Sequence, residues 1–207
     1  MHSAEQSVYQ LGSALYLNIT NRCPNRCTFC LRSSSDEIGG VNLWLKEEPS
    51  PEEVLAEAKR KLQAIEEPIK EWVFCGYGEP LERLDAAIAI MDGLKEYGLP
   101  IRINTNGLAN LIHGRDVVPD LLGRADLVSV SLNAHTPELY DSLCQSVYGL
   151  KALPAVLDFL ASCTKHGLKA VATVVDGPDV QVEECRKLAE GCGVAFRVRE
   201  YLPQGYQ

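Results

Sequence analysis

Short apolar, β-prone segments recur along this chain with helix-patterned stretches between them, and that alternation constrains its fold more than any other feature. The strand-like segments are Ala14-Leu-Tyr-Leu-Asn-Ile-Thr20, Glu71-Trp-Val-Phe-Cys75, Ile101-Arg-Ile-Asn104, Leu127-Val-Ser-Val-Ser-Leu132, and residues 168–175 and 195–199. Helices are expected to about residue 65 from Ser50, and over 84–97, 138–144, 152–165 and 180–190. The first of them opens on Ser50-Pro51-Glu52-Glu53, a capping hydroxyl followed by proline and two carboxylates at the positive helix end. Strands that alternate with helices predict a parallel sheet joined by right-handed crossovers.

A chain of 207 residues with 46% apolar content can bury one substantial core, so a single domain over residues 1–207 is expected. The formal charge of -8 argues against a surface built for long nucleic acid. No apolar run reaches the roughly 18 residues of a membrane helix, and the first residues do not read as a leader, which predicts a soluble, cytoplasmic protein. Eight cysteines would suit a secreted disulfide framework, but three sit in one motif and the rest scatter through apolar segments, so reduced thiols are expected.

Parallel strands bring their C-terminal ends to one rim, where ligands bind in α/β folds. On the loop leaving the first strand lies Cys23-Pro-Asn-Arg-Cys27-Thr-Phe-Cys30. Thiolates spaced C-x3-C-x2-C can hold three corners of a cube-shaped iron–sulfur cluster and leave the fourth iron without a protein ligand. Structural thiols, a disulfide or part of a zinc site are the alternatives, although no second C-x2-C or H-x3-5-H pair completes a zinc set. The second strand delivers Gly76-Tyr-Gly-Glu-Pro80, in which two glycines allow close backbone approach to a ligand and Glu79 adds an acceptor for a cation; an ordinary turn is the rival reading. The third delivers Asn104-Thr-Asn-Gly107, and the fourth carries Ser129, Ser131 and Asn133, polar groups suited to a sugar or to an internally satisfied cluster. Residues 31–50, polar and glycine-bearing with the patch Val41-Asn-Leu-Trp-Leu45, are too long for a connector and read as a possible lid.

The cysteine loop, Gly-Tyr-Gly-Glu-Pro, Asn-Thr-Asn-Gly and Ser-Leu-Asn, in that order after four successive strands, resemble the radical S-adenosylmethionine (SAM) superfamily over nearly the whole chain. Within it, the run at 104–116 and the ending Phe196-Arg-Val-Arg-Glu-Tyr201 resemble the TatD-associated radical SAM proteins. The resemblance implies an open partial (β/α)6 TIM-like barrel with parallel strands, and a [4Fe-4S] cluster held by Cys23, Cys27 and Cys30 with SAM on the fourth iron. It implies Phe29 near the adenine, and Gly76, Gly78 and Glu79 at the methionine amino group. Asn104, Asn106 and Ser131 would meet the ribose, and Asn133 the methionine carboxylate, where many relatives place a cation; Lys169 or Arg102 could substitute. The implied activity is reductive cleavage of SAM to a 5'-deoxyadenosyl radical that abstracts hydrogen from an unidentified substrate. A low-potential electron donor of flavodoxin or ferredoxin type and a functional link to a TatD-type hydrolase follow from the same resemblance.

An activase acting on a partner protein and a non-catalytic electron-transfer module are the rival classes. The module needs a fourth ligand, for which Cys75 is the nearest in sequence, although a buried strand end suits it to packing. Cys144, Cys163, Cys185 and Cys192 read as packing residues on helices. His113, Arg115, Asp116 and His135 are candidate substrate contacts, with Tyr77 and the Arg197/Arg199 pair as further ones.

Overall fold

A short hairpin opens the fold and breaks the all-parallel pattern. In the computed structural model, which describes residues 7–200, β1 (Val8–Leu11) turns through Gly12, at φ 57°, into β2 (Ala14–Leu17) and pairs with it antiparallel. β3 (Glu37–Ile38) and β4 (Val41–Asn42) form a second, isolated hairpin inside the long insertion. Then come α1 (Pro51–Ala64), β5 (Glu71–Phe74), α2 (Leu84–Leu94), β6 (Ile101–Thr105), and two short helices, α3 (Ala109–His113) and α4 (Val118–Leu121). The chain continues through β7 (Leu127–Ser131), α5 (Pro137–Cys144), α6 (Ala152–His166), β8 (Ala170–Asp176), α7 (Val182–Gly191) and β9 (Ala195–Glu200). The main sheet runs β1-β2-β5-β6-β7-β8-β9, with every pair after the first parallel.

All six strands expected from the sequence are present, and the fold is α/β with a mostly parallel central sheet. It carries an antiparallel edge strand that four residues of weak alternation did not reveal. Among the described residues β9 has no helix after it, and the ends of the sheet do not pair, so the sheet stays open. It is nevertheless rolled. Arg199 on β9 lies close enough to Cys75, just past β5, for its charge to favour the thiolate, whereas four strand spacings in a flat sheet would separate them by about 19 Å.

Rolling sorts the side chains. On β6, Ile101, Ile103 and Thr105 are buried while Arg102 and Asn104 alternate with them on the concave face. Ile103, Trp72, Phe74, Val128, Val130 and Val174 make the outer layer, packed against Ile90, Met91 and Leu94 of α2 and Val156, Phe159 and Leu160 of α6. The concave face is polar: Arg102 pairs with Glu71 at 2.8 Å, and Arg197 and Arg199 reach across β8 to the hydroxyls of Ser129 and Ser131 at 3.5 and 3.4 Å. No single helix among the described residues is long and apolar enough to cross a membrane. Tyr201, the last residue of the ending motif, lies outside the described residues.

α1 shows how locally the elements are specified. The Ser50 hydroxyl accepts from the Glu53 N–H at 3.2 Å while the Glu53 carboxylate accepts from the Ser50 N–H at 2.8 Å, a reciprocal capping box. Ser50→Ala should lower stability by about 1 kcal/mol. Urea denaturation would show a lower midpoint at unchanged slope, and an unchanged midpoint would remove the cap from the account.

Candidate functional site

The loop after β2 has no regular structure from residue 18 to residue 30, so its backbone groups need partners elsewhere. Many come from the far end of α5, whose last carbonyls lack intrahelical partners. Arg26 N–H donates to the Cys144 carbonyl and Thr28 N–H to the Leu143 carbonyl, both at 2.9 Å, and Val147 N–H returns to the Pro24 carbonyl at 2.9 Å. Below this clamp the Asn25 amide donates to the buried Tyr140 hydroxyl at 3.1 Å. Arg32 donates to the Asn25 carbonyl at 2.8 Å and ties the loop's exit to its entry.

Cys23, Cys27 and Cys30 are free and partly exposed on this clamped loop. Burial pushes the Cys23 thiol up to about 12, and Glu79 and Cys27 add to the rise. Burial likewise raises Cys30, with Cys27 adding to it. Cys27 is raised first by its hydrogen bond with the Cys144 thiol and then by burial. Arg32 is the cation that favours ionisation of all three. Thiolates crowded in this way repel one another and are stabilised by bound cationic metal, whose uptake releases their protons.

Gly76 and Gly78 have close neighbours within the protein itself. A Cβ on Gly76 would lie 1.9 Å from Asn18 Oδ1, and one on Gly78 2.3 Å from the Thr20 carbonyl and 2.7 Å from that of Arg22. What approaches these glycines is the cysteine loop's own first segment, and Glu79 N–H closes the contact by donating to the Arg22 carbonyl at 2.7 Å. Glu79 is only 3% exposed and turns inward. Its carboxylate accepts from Thr105 Oγ1 at 2.7 Å, Asn106 N–H at 2.7 Å and Leu81 N–H at 3.1 Å, joining its own loop to the end of β6. Despite these donors, burial dominates and lifts its pKa to about 7.

The remaining candidates divide between mouth and wall. Asn104 and Ser131 stand half-buried on the concave face, Asn104 accepting from Arg102 at 2.8 Å. Asn106 points its amide at Cys23 Sγ, 3.9 Å away. Asn133, at φ 59° and 4% exposed, sits behind the cysteine loop with its amide nitrogen 3.6 Å from Cys144 Sγ. Phe29 is half-buried beside a cavity of about 210 Å³ that Leu143, Val175 and Val180 also line. Arg102 is engaged by Glu71 and Asn104, and Lys169 stands just before β8, at the end of that strand opposite the cysteine loop.

Several suspected substrate contacts have partners within the protein. His113 Nε2 bonds the Leu81 carbonyl at 2.8 Å, Arg115 pairs with Asp120 at 2.6 Å, and Asp116 accepts from Ser162 at 2.8 Å and lies 3.1 Å from His166 Nε2. The 31–50 segment is bound to the rim: Asn18 and Asn21 amides donate to the Leu43 and Leu45 carbonyls at 2.7 Å, Leu43 is fully buried, and Trp44 stands edge-on to Tyr77 at 5.1 Å between centroids. Sequence reasoning missed Cys144, Tyr140, Asn25 and Arg32. Asn25, inside the cysteine motif, and Arg32, two residues past Cys30, had a local signal; Tyr140 and Cys144 had none.

Among the described residues no three His, Cys, Asp or Glu side chains converge as ligands of a single metal ion. The fit to a larger group rests on other observations. Three free thiols share one loop, and the buried acceptors Asn18 Oδ1, Asn25 Oδ1 and Asn133 Oδ1 around it lack protein partners, as does His135 Nδ1.

A family model described as the radical SAM superfamily matches residues 17–191. No curated protein sequence matches the chain. Among solved structures, Streptococcus suis SuiB bound to S-adenosylmethionine superposes with a TM-score of 0.66 at 14% identity over 98% of this chain. Native anSMEcpe with bound AdoMet gives 0.68 at 16% identity over 90%. A radical SAM methyltransferase from Sphaerobacter thermophilus gives 0.50 at 16% identity over 93%. The chain spans 42% of SuiB, 51% of anSMEcpe and 68% of the methyltransferase, and at these identities the likeness shows a shared fold.

Two outcomes test this geometry. Gly78→Ala should cost roughly 1–3 kcal/mol in denaturation experiments, because main chain rather than a flexible side chain opposes the new methyl group. Glu79 generates a pH dependence. Its folded pKa of about 7 exceeds the ordinary 4.5, so between these values the folded state holds a proton that the unfolded chain has lost. Stability should therefore fall by on the order of 3 kcal/mol as pH rises from about 4.5 to 7, and Glu79→Gln should lack that slope. Equal slopes in the two proteins would refute the assignment.

Proposed function

The chain belongs to the radical SAM superfamily, and from that premise we propose that it is an enzyme whose Cys23, Cys27 and Cys30 ligate a [4Fe-4S] cluster beside bound SAM. Such a cluster, when reduced, supplies the electron that cleaves SAM to a 5'-deoxyadenosyl radical able to abstract hydrogen from a substrate. The observation that carries the reading is the clamped loop: three free, partly exposed thiols held together at the strand ends, with Arg32 as their nearby cation.

Around it, each residue takes a part that its position supports. Asn104 and Ser131, on the concave face, face the ribose hydroxyls, and Asn106 bridges the ribose and the Cys23 sulfur. Gly76 and Gly78 keep the second turn tight against the cysteine loop, and Glu79 fixes that turn to the Asn106 backbone beside the methionine amino group. Phe29, beside its cavity, borders the adenine, and Asn133, whose buried Oδ1 has no protein partner, serves the methionine carboxylate. The TatD-associated group is the subfamily we favour, on the 104–116 run and the ending motif. All eight cysteines are free, which suits a reducing, cytoplasmic setting and a flavodoxin- or ferredoxin-type donor.

A second reading has one observation in its favour: Cys144 lies against Cys27 and could complete a four-thiol set, giving an electron-transfer module. Anaerobic reconstitution followed by EPR of the reduced protein separates the two. A spectrum altered by SAM supports an open iron, and one indifferent to SAM rules the enzyme reading out. Reductant and SAM together should also release 5'-deoxyadenosine, and Cys27→Ala should abolish that release.

A further inference from the structure

β9 brings two arginines to the concave face. Arg197 and Arg199 alternate on it with Phe196, which packs against the outer layer and carries the Arg186 guanidinium 4.9 Å from its ring centre, so the pair stands on the opposite, inner side of the sheet. Their side chains cross β8 side by side, two residues and therefore roughly 7 Å apart, and end at the hydroxyls of Ser129 and Ser131. Both are exposed and so open to a ligand.

A guanidinium presents five donors in a fixed fork. One bond of 3.5 Å to a neutral serine is all that Arg197 makes among the described residues, and it balances no charge. Elsewhere Arg22, Arg83, Arg115 and Arg124 each hold a carboxylate. Glu71, the one carboxylate that the described strands place on the concave face, is taken by Arg102 through bonds of 3.1 and 2.8 Å. Positive charge is therefore left over on the inner wall of a chain whose formal charge is -8.

Arginine forks match oxyanions, phosphate or carboxylate, which they grip through paired N–H···O bonds. The serine hydroxyls that accept from the guanidiniums keep their own protons to donate to the same anion. Depth decides which molecule that anion belongs to. Ser131 is at the level given to the ribose, whereas Arg197 and Ser129 lie one side-chain repeat further from the cysteine loop, where a second molecule fits beside SAM. Resting on the enzyme reading above, we propose that Arg197 and Arg199, with Ser129, form the subsite for an anionic group of the substrate, so that the molecule losing hydrogen bears a phosphate or a carboxylate.

The test uses the full chain, reconstituted anaerobically and saturated with SAM, as wild type, Arg197→Gln, Arg197→Lys, Arg199→Gln and Arg186→Gln. Calorimetric titration with pyrophosphate and, separately, with succinate is the readout, and EPR of the reduced samples with and without SAM runs beside it. Wild type should bind at least one of these probes at a single site. Arg197→Gln and Arg199→Gln should each weaken that binding roughly tenfold, the scale of one lost charged hydrogen bond. Arg197→Lys should fall between, because it keeps the charge and loses the fork. Arg186→Gln, on the outer face, should bind as wild type does. On these terms tighter binding of pyrophosphate assigns a phosphorylated substrate, and tighter binding of succinate a carboxylic acid. Equal affinity in wild type and Arg197→Gln would overturn the proposal. So would a probe that binds only when SAM is left out, which would give the arginines to the carboxylate of SAM. A wild type whose spectrum ignores SAM would overturn the enzyme reading and this proposal together, whereas a SAM-sensitive wild type that takes up neither probe would defeat this proposal alone.

Discussion

The site depends on one exchange of backbone hydrogen bonds. A loop without secondary structure presents N–H groups that need acceptors, and the end of α5 presents carbonyls that need donors. Joining them at Arg26–Cys144 and Thr28–Leu143 satisfies both, and it fixes where three thiols stand without asking any thiol to hold the loop. The cysteines are thereby left for ligation. Remove the clamp, and the same eight residues would be a polar loop with reactive sulfurs scattered along it.

Around the clamp, polar groups act on one another more than on open space. Glu79 joins the second turn to the third loop, the two glycines let that turn press on the first, and two asparagines aim their amides at sulfurs. This is consistent with a rim that is rigid before any ligand arrives, since each donor already has a fixed direction. The buried amide oxygens of Asn18, Asn25 and Asn133, which have no hydrogen-bond partner, are the exceptions.

The strand–helix alternation made the parallel sheet readable, because buried parallel strands are apolar runs bounded by turn residues and α1 carries its start signal in four consecutive residues. β1 was not readable: four residues that gain their pairing from a hairpin look like any loop. The β3–β4 hairpin turns on Gly39 and Gly40, both at positive φ, within a segment whose polarity suggested a mobile cover; its anchors, Asn18 and Asn21, lie outside it in sequence. α3 and α4 are too short for periodicity to register. At the site, the cysteine spacing was legible because the motif is local. Glu79 was read as an acceptor for a cation, while its bonds to Thr105 and Asn106 were not legible because sequence shows its charge but not its neighbours. Cys144 was read as packing because a buried thiol beside a ligand and a buried thiol in a core have the same local pattern.

The clamp also sets a clock. Asn25 and its partner Tyr140 are separated by 115 positions, so the cysteine loop waits for most of the chain before it can be held. At synthesis rates of about 5–20 residues per second, the three thiols emerge on the order of ten seconds before α5 does. During that interval the bonds that clamp them to α5 have not formed. Order at the cysteine loop is thus a late event in the life of the nascent chain, reached only when the sheet beneath it is already more than half built.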